Sequence, residues 1–210
     1  MSFLRISFVF FLVIPFTIKA QPDTISLDNF HLSLDKVDNV RKLGVVVWDQ
    51  RELIVEGSEK GLFLGYAKTV AYVNTDPVTI KGELPLAEWL SDRISKAYND
   101  SGLATMAVGV TANEATRAQV ELKMKSANVD RILVLQIKKL HFDNMFNWSY
   151  MAKFEIEVYS ENIELLKAFP ISEERDMERT DDWKMKFPLE LISIVEDALN
   201  NTEVLKALSE

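Results

Sequence analysis

Leu43-Gly44-Val45-Val46-Val47-Trp48 is the stretch of sequence that decides the fold. Every residue but the glycine is apolar and most are β-branched, which predicts a strand buried on both faces. Residues 132–135, Ile-Leu-Val-Leu, form a second run of this kind and predict another central strand. A buried sheet needs helices to cover it, so we expect an α+β fold: a mixed β-sheet with helices packed on it.

Hydrophobic periodicity predicts the elements around these two strands. A helix is expected from Pro85 to Gly102, because proline is tolerated in the first turn and glycine commonly caps the last. Thr111 and Glu114 form a capping-box pattern that predicts a second helix up to about Ala127. The expected order is strand, insertion, helix, strand, helix, strand, strand, strand, helix.

The last third of the chain predicts a hairpin and a closing helix. Residues 152–159 alternate apolar and polar side chains, and residues 163–171 follow a tight turn, which is typical of an antiparallel pair. The charged residues 172–182 indicate a surface loop, and Pro188 is expected to open the final helix, with a short terminal helix after Asn201.

The N-terminus predicts an export signal. Arg5 precedes the apolar stretch Ile6–Ile18, and Ala20 supplies a small residue for cleavage, so residues 1–20 are interpreted as a signal peptide. Residues 21–41 are expected to form an extended arm. Residues 42–210 are expected to form one α+β domain with a hairpin or loop insertion at 52–84, after the first core strand.

Composition narrows the classes of function. The 210 residues include no cysteine and two histidines, which excludes thiolate metal sites and thiol nucleophiles. Removing Arg5 and Lys19 with the signal leaves 22 basic against 32 acidic side chains, a net charge of −10. Nucleic acid is therefore not expected as a partner. The apolar leader is too short to span a bilayer, and no later segment has a long enough uncharged run. The mature chain is therefore expected to have no transmembrane span, and peripheral membrane contact is left open.

Several short motifs resemble those of YajG-like envelope lipoproteins. They are the strand end Val45-Val46-Val47-Trp48-Asp49-Gln50-Arg51, the helix start Leu84-Pro85-Leu86-Ala87 and the tail from Ala198 to Leu205. The resemblance implies an envelope protein and supplies no catalytic residue. Members of that family carry a lipidated cysteine where this chain has Gln21, which implies an unanchored periplasmic or secreted form.

Asp49 and Arg51 are the strongest candidates for a polar site, because they follow a buried strand at the point where it leaves the sheet. Arg51 suits a carboxylate or phosphate, with Asp49 orienting it. The interpretation we favour is an internal ion pair or turn cap at the start of the insertion.

Aromatic side chains next to breaks in the pattern are candidates for a partner or ligand surface. They are Phe63 and Tyr66 in the insertion, Phe146 and Trp148 after the second central strand, and Trp183 before the final helix. The alternative is that they cover the ends of the core.

Other chemistry has weaker support. His31 and His141 lack the spacing of a metal site, and no Gly-x-Ser-x-Gly motif occurs. Adjacent acids at 173–174 and 181–182 leave a carboxylate-dependent hydrolase open. We therefore expect a non-enzymatic periplasmic or secreted envelope protein that binds an envelope protein partner and needs no cofactor. A small-ligand or glycan-binding protein is the alternative.

Overall fold

Thirteen elements make up the part of the chain that the computed structural model describes, residues 23–69, 74–111, 117–126, 128–143, 148–178 and 182–210. In order they are β1 (Asp23–Ile25), β2 (Lys42–Asp49), α1 (Glu52–Val55), β3 (Phe63–Thr69), β4 (Asn74–Ile80), α2 (Leu86–Asp100), β5 (Ala104–Thr111), α3 (Arg117–Ser126), β6 (Arg131–Asp143), β7 (Ser149–Ser160), β8 (Leu165–Asp176), α4 (Trp183–Leu199) and α5 (Thr202–Ser209). The predicted signal peptide, residues 1–20, lies outside these ranges.

Strand β2 is the middle of a parallel trio in a five-stranded sheet with the order β5-β2-β6-β7-β8. Its neighbours β5 and β6 both run parallel to it, and β6, β7 and β8 are antiparallel. Val45, Val46 and Val47 are completely buried, as the apolar run predicts. The α+β prediction is confirmed.

The two faces of this sheet are covered unequally. Alternate β2 residues Leu43, Val45 and Val47 belong to the main core, which also holds buried residues of α2, α4 and α5. We call this side the α2 face. Val46 points to the other side, the α3 face, where a smaller core includes Val120 and Met124 of α3. The sheet is therefore thickly covered on one face and thinly on the other.

The insertion after β2 folds as the predicted hairpin and makes a second sheet. Strands β3 and β4 are antiparallel, and β1 adds parallel to β4, giving the order β1-β4-β3. Leu64, Val78 and Ile80 of this sheet lie in the main core. The insertion also meets the start of α2, since Leu86 N–H donates to the Gly61 carbonyl at 2.9 Å.

Beyond β1, the N-terminal segment crosses the main core as a strap. Its apolar side chains, among them Leu27, Phe30 and Leu34, are buried. Its backbone is bound to α4 and the residue after it: Ser33 N–H donates to Glu196 Oε1 at 2.5 Å, and Asp35 N–H donates to Asn200 Oδ1 at 2.8 Å. Asn200 Nδ2 donates back to the Ser33 carbonyl at 3.0 Å.

Two predicted boundaries are wrong. Residues 172–176 belong to β8, because pairing with β7 holds this charged stretch as an edge strand whose side chains reach solvent. Helix α4 begins at Trp183, five residues before Pro188, which lies inside the helix. Thr111 is the last residue of β5, and the stretch between it and Arg117, which includes the predicted capping residue Glu114, lies outside the described residues. None of the helices in the described ranges is long and apolar enough to cross a membrane.

Gly109 sets the distance between α2 and β5. A Cβ atom at this position would lie 2.4 Å from Glu88 Cα and 2.5 Å from Glu88 N, both backbone atoms of the first turn of α2. Backbone atoms cannot move aside as the end of a flexible side chain can. Only glycine therefore allows the helix to pack at this distance.

Replacing Gly109 with alanine should lower the free energy of unfolding by about 2–3 kcal/mol, because the added methyl group would overpack the α2–β5 contact. The matched control is Gly65→Ala in β3, where a Cβ would meet nothing within 4 Å. The control should change stability by less than about 1 kcal/mol. Urea denaturation measures both; equal midpoints for the two variants would show that Gly109 is not a packing constraint.

Candidate functional site

The predicted polar site lies where the parallel strands end. Asp49 and Thr111, the last residues of β2 and β5, are register partners in neighbouring strands. The chain returns from β2 to β5 through α2 on one face of the sheet and leaves β5 for α3 on the other. The carboxyl ends of two such strands form a switch point, the usual place for ligands in open α/β sheets.

Asp49 and Arg51 form a closed, buried ion pair. Arg51 Nε donates to Asp49 Oδ1 at 2.9 Å and Arg51 Nη2 donates to Asp49 Oδ2 at 2.7 Å. The two side chains are 0% and 6% exposed, respectively. Both carboxylate oxygens accept from one guanidinium in the bidentate geometry typical of strong pairs. Both Asp49 oxygens are therefore occupied inside the protein, as expected for the internal ion pair favoured from the sequence.

The ion pair anchors the turn into the insertion. Arg51 is the N-cap residue of α1, and its carbonyl accepts from the N–H groups of Ile54 and Val55, each at 2.9 Å. The guanidinium lies over the ring of Phe63, with Arg51 Cζ 5.8 Å from the ring centroid. Phe63 is 4% exposed. The predicted residues Asp49, Arg51 and Phe63 thus meet, but in the interior.

Tyr150 lies within the electrostatic reach of this pair. Burial raises the pKa of its hydroxyl far above the ordinary value, while the nearby Arg51 charge opposes that rise. The phenol therefore stays protonated at neutral pH. In the described part of the chain, neither the Tyr150 hydroxyl nor Arg51 Nη1 has a hydrogen-bond partner.

Trp148, one of the aromatic candidates from the sequence, meets Phe187 of α4 across the Phe142 ring at one end of the main core. Trp148 packs edge-on against Phe142, with ring centroids 6.1 Å apart, and Phe187 packs edge-on against the same ring at 5.6 Å. Phe187 is also 5.1 Å from the Tyr150 ring. Trp148 is half-buried, so it covers the end of the core. Phe146 and the side chains of Tyr66 and Trp183 lie outside the described residues.

The remaining sequence candidates do not converge. His31 and His141 are both exposed, and within the described ranges no group of three or more His, Asp or Glu side chains is placed to hold a metal ion. Glu173 and Glu174 are consecutive residues of β8 and point to opposite faces of the sheet. Asp181 lies outside the described residues.

A small open cleft adjoins the switch point. It is lined by residues of the insertion, among them Lys60 and Gly61, by Pro85 at the start of α2, and by Thr111. Thr111 is 5% exposed, and its hydroxyl has no hydrogen-bond partner among the described residues. An unpaired buried hydroxyl beside a cleft is a potential contact for a polar ligand.

Sequence reasoning did not identify the outer edge of β5 as a candidate surface. Its sequence, Ala-Thr-Met-Ala-Val-Gly-Val-Thr, contains no charge and no proline, and it ends the five-stranded sheet. The opposite edge, β8, carries Pro170 and five charged residues, the usual protection against unwanted strand pairing. The missing charge in β5 is visible in the sequence; its position at an edge is not.

Apolar side chains flank this edge on the α3 face. Met106 and Val108 of β5 and Trp48 of β2 are only partly buried against the smaller core. Leu122 of α3 is 70% exposed. We call the outer edge of β5 together with these four residues the β5–α3 surface.

A network of polar side chains joins the beginning of α3 to β7. Arg117 Nη2 donates to the Tyr159 hydroxyl at 2.5 Å, and that hydroxyl donates to Glu157 Oε2 at 2.6 Å. Burial, followed by the hydrogen bond to Glu157, raises the pKa of Tyr159 well above its ordinary value. The phenol therefore keeps its proton and fixes α3 against β7.

Asp49→Asn should lower the free energy of unfolding by about 3–5 kcal/mol, because it leaves the Arg51 charge buried without a counter-charge. Replacing both members, Asp49→Leu with Arg51→Met, should recover most of that loss. Asp38→Asn is the matched control: its pair with Lys36 is about 70% exposed on both sides, and the change should cost less than about 0.5 kcal/mol. Chemical denaturation measures the free energy of unfolding of all three variants. Equal losses of stability for Asp49→Asn and Asp38→Asn would contradict a structural role for the Asp49–Arg51 ion pair.

Comparison with known proteins locates the fold. No protein-family model matches the sequence, and no curated protein matches it at a significant level. A Xanthomonas campestris protein of the family DUF330 superimposes with a TM-score of 0.55 at 8% identity, over 89% of this chain and 95% of that one. The Neisseria meningitidis lipoprotein GNA1162 matches less closely, with a TM-score of 0.39 at 8% identity, over 77% and 99%. The chain is therefore similar in fold to the DUF330 protein.

Proposed function

We propose that this protein is a non-catalytic module of the bacterial cell envelope that binds another envelope protein through the β5–α3 surface. The observation that carries the proposal is an uncharged, unprotected sheet edge flanked by partly exposed apolar side chains. Soluble domains normally protect such edges, because an open strand is a template for association. An edge left open beside apolar surface is typical of a site that a partner covers.

The envelope location rests on the N-terminal sequence. Arg5, the apolar stretch Ile6–Ile18 and Ala20 have the order of an export signal, and the short motifs around β2 and α2 resemble YajG-like envelope proteins. We propose a YajG-like protein that is secreted across the inner membrane. It would be periplasmic or extracellular and associate with the outer membrane through its partner.

The arrangement of the polar residues supports a binding role over catalysis. Both Asp49 oxygens are occupied by Arg51, and the pair is closed to solvent, so neither group is placed to contact a substrate. The adjacent acids of β8 point to opposite faces, and glycoside hydrolysis requires two carboxyl groups that converge on one bond.

A photo-crosslinking amino acid placed at Leu122 should form a defined adduct with one envelope protein in growing cells. The same amino acid at Leu165 is the control, because Leu165 is 53% exposed but lies on β8, at the other edge of the sheet. Mass spectrometry identifies the adduct. Adducts from both positions, or from neither, would contradict a partner at the β5–α3 surface.

A small-ligand or glycan-binding role is the second candidate, and the unpaired Thr111 hydroxyl beside the cleft favours it. A ligand that binds there should raise the melting temperature of the protein. Thr111→Val keeps the shape and removes the hydroxyl, so it should abolish most of that rise. A screen of sugars and phosphorylated metabolites in which no compound distinguishes the two proteins would argue against this role.

A further inference from the structure

The direction of the backbone groups along β5 shows which of them are open for pairing. Thr105 N–H donates to Asn99 Oδ1 at 3.1 Å, so this N–H points away from β2. Residues two apart in a strand point their N–H and C=O groups to the same side. Ala107 and Gly109 therefore also present their backbone groups outward, and no described strand lies beyond them.

A cleft runs along this edge between two helices. On the α2 side it is lined by Leu84, Glu88, Ser91 and Asp92, and on the α3 side by Lys123. Ala107, Val108 and Gly109 form its floor. The cleft combines an open strand edge with a helix beside it, which is the arrangement that accepts an extended peptide by strand addition.

The charges along the cleft determine which side chains of a bound peptide are favoured there. Side chains of an added strand alternate between the two faces of the sheet, so every second one faces Glu88 and Asp92 on α2. Those acids favour basic side chains at these positions. The side chains between them face the α3 face, where Met106 and Val108 are partly exposed and favour apolar groups.

A second copy of this chain fits the edge poorly. Two β5 strands paired about a twofold axis would place the two α2 helices on the same face, one beside the other. Glu88 and Asp92 of each copy would then approach those of the other, and the mature chain already carries a net charge of −10. Like charges brought together in this way oppose association.

We propose that β5 accepts an extended segment of the partner protein as a sixth strand of the large sheet, and that this segment alternates basic and apolar residues. The inference rests on the proposed function, because it names how the partner engages the β5–α3 surface. Backbone hydrogen bonds to Ala107 and Gly109 would supply much of the affinity, and the acids of α2 would supply the preference for basic side chains.

The probe is a phage-displayed library of random dodecapeptides, selected against the protein expressed with its own leader. Synthetic copies of the selected peptides are then measured by fluorescence anisotropy. Ala107→Pro removes the outward N–H without breaking the β2 ladder, and should weaken binding at least tenfold. The matched control is Ala168→Pro at the exposed edge of β8, two residues from the natural Pro170; it should leave affinity within twofold.

Two further measurements distinguish a loss of peptide binding from a loss of folding. Asp92→Lys alters only an exposed charge and should weaken the basic peptides at least threefold. Hydrogen exchange should show slower exchange at the Ala107 and Gly109 amides when a selected peptide is bound. Unfolding midpoints of all variants are compared with that of the unaltered protein.

The proposal is overturned if the library yields no binder, if the selected peptides lack alternating basic residues, or if Ala107→Pro binds them as well as the unaltered protein does. Crosslinks from β5 of one copy to β5 of another would also overturn it in favour of a homodimer. If Leu122 forms an adduct but Ala107→Pro binds the peptides normally, only strand addition is contradicted. The proposed function is then still supported. If Leu122 forms no adduct and the library yields no binding peptide, both the proposed function and strand addition are contradicted.

Discussion

The rest of the structure depends on burying strand β2 on both faces. Leu43, Val45 and Val47 require a cover on one side and Val46 requires one on the other, so helices must pack on both faces of the sheet. The α2 face receives three helices, the second sheet and the N-terminal strap. On the α3 face, the described ranges place one helix, whose ten described residues include two buried side chains. This imbalance leaves apolar side chains beside β5 only partly covered.

The same strand explains why the polar residues at its end do not form an open site. The side chain of Asp49 lies on the face of β2 that packs against the main core. Its carboxylate is therefore buried and requires a partner there. Arg51, two residues later, supplies that partner and stays with it under the insertion. A position that often holds ligand-binding groups in α/β sheets is used here to secure the turn into the hairpin.

Local sequence patterns predicted most elements, because the residues that determine those elements are close together in the sequence. The strand at 43–48, the helix that ends shortly before Gly102 and the hairpin around residues 160–162 depend on neighbours in sequence. The errors have long-range causes: pairing with β7 holds the charged residues 173–176 in a strand, and the contacts of Phe187 with Phe142 and Tyr150 anchor the part of α4 that precedes Pro188. The position of β5 at an edge, and hence the β5–α3 surface, follows from strand order, which no window of sequence encodes.

The strap formed by the N-terminal segment has a consequence for how the protein reaches its native state. Its hydrogen bonds join Ser33 and Asp35 to Glu196 and Asn200, partners 163 to 167 residues away along the chain. Contacts of such separation close nearly the whole polypeptide into one loop and form late, because the chain entropy lost on closure must be offset by structure already in place. The strap is thus among the last elements to dock, and its apolar side chains stay accessible until α4 has formed.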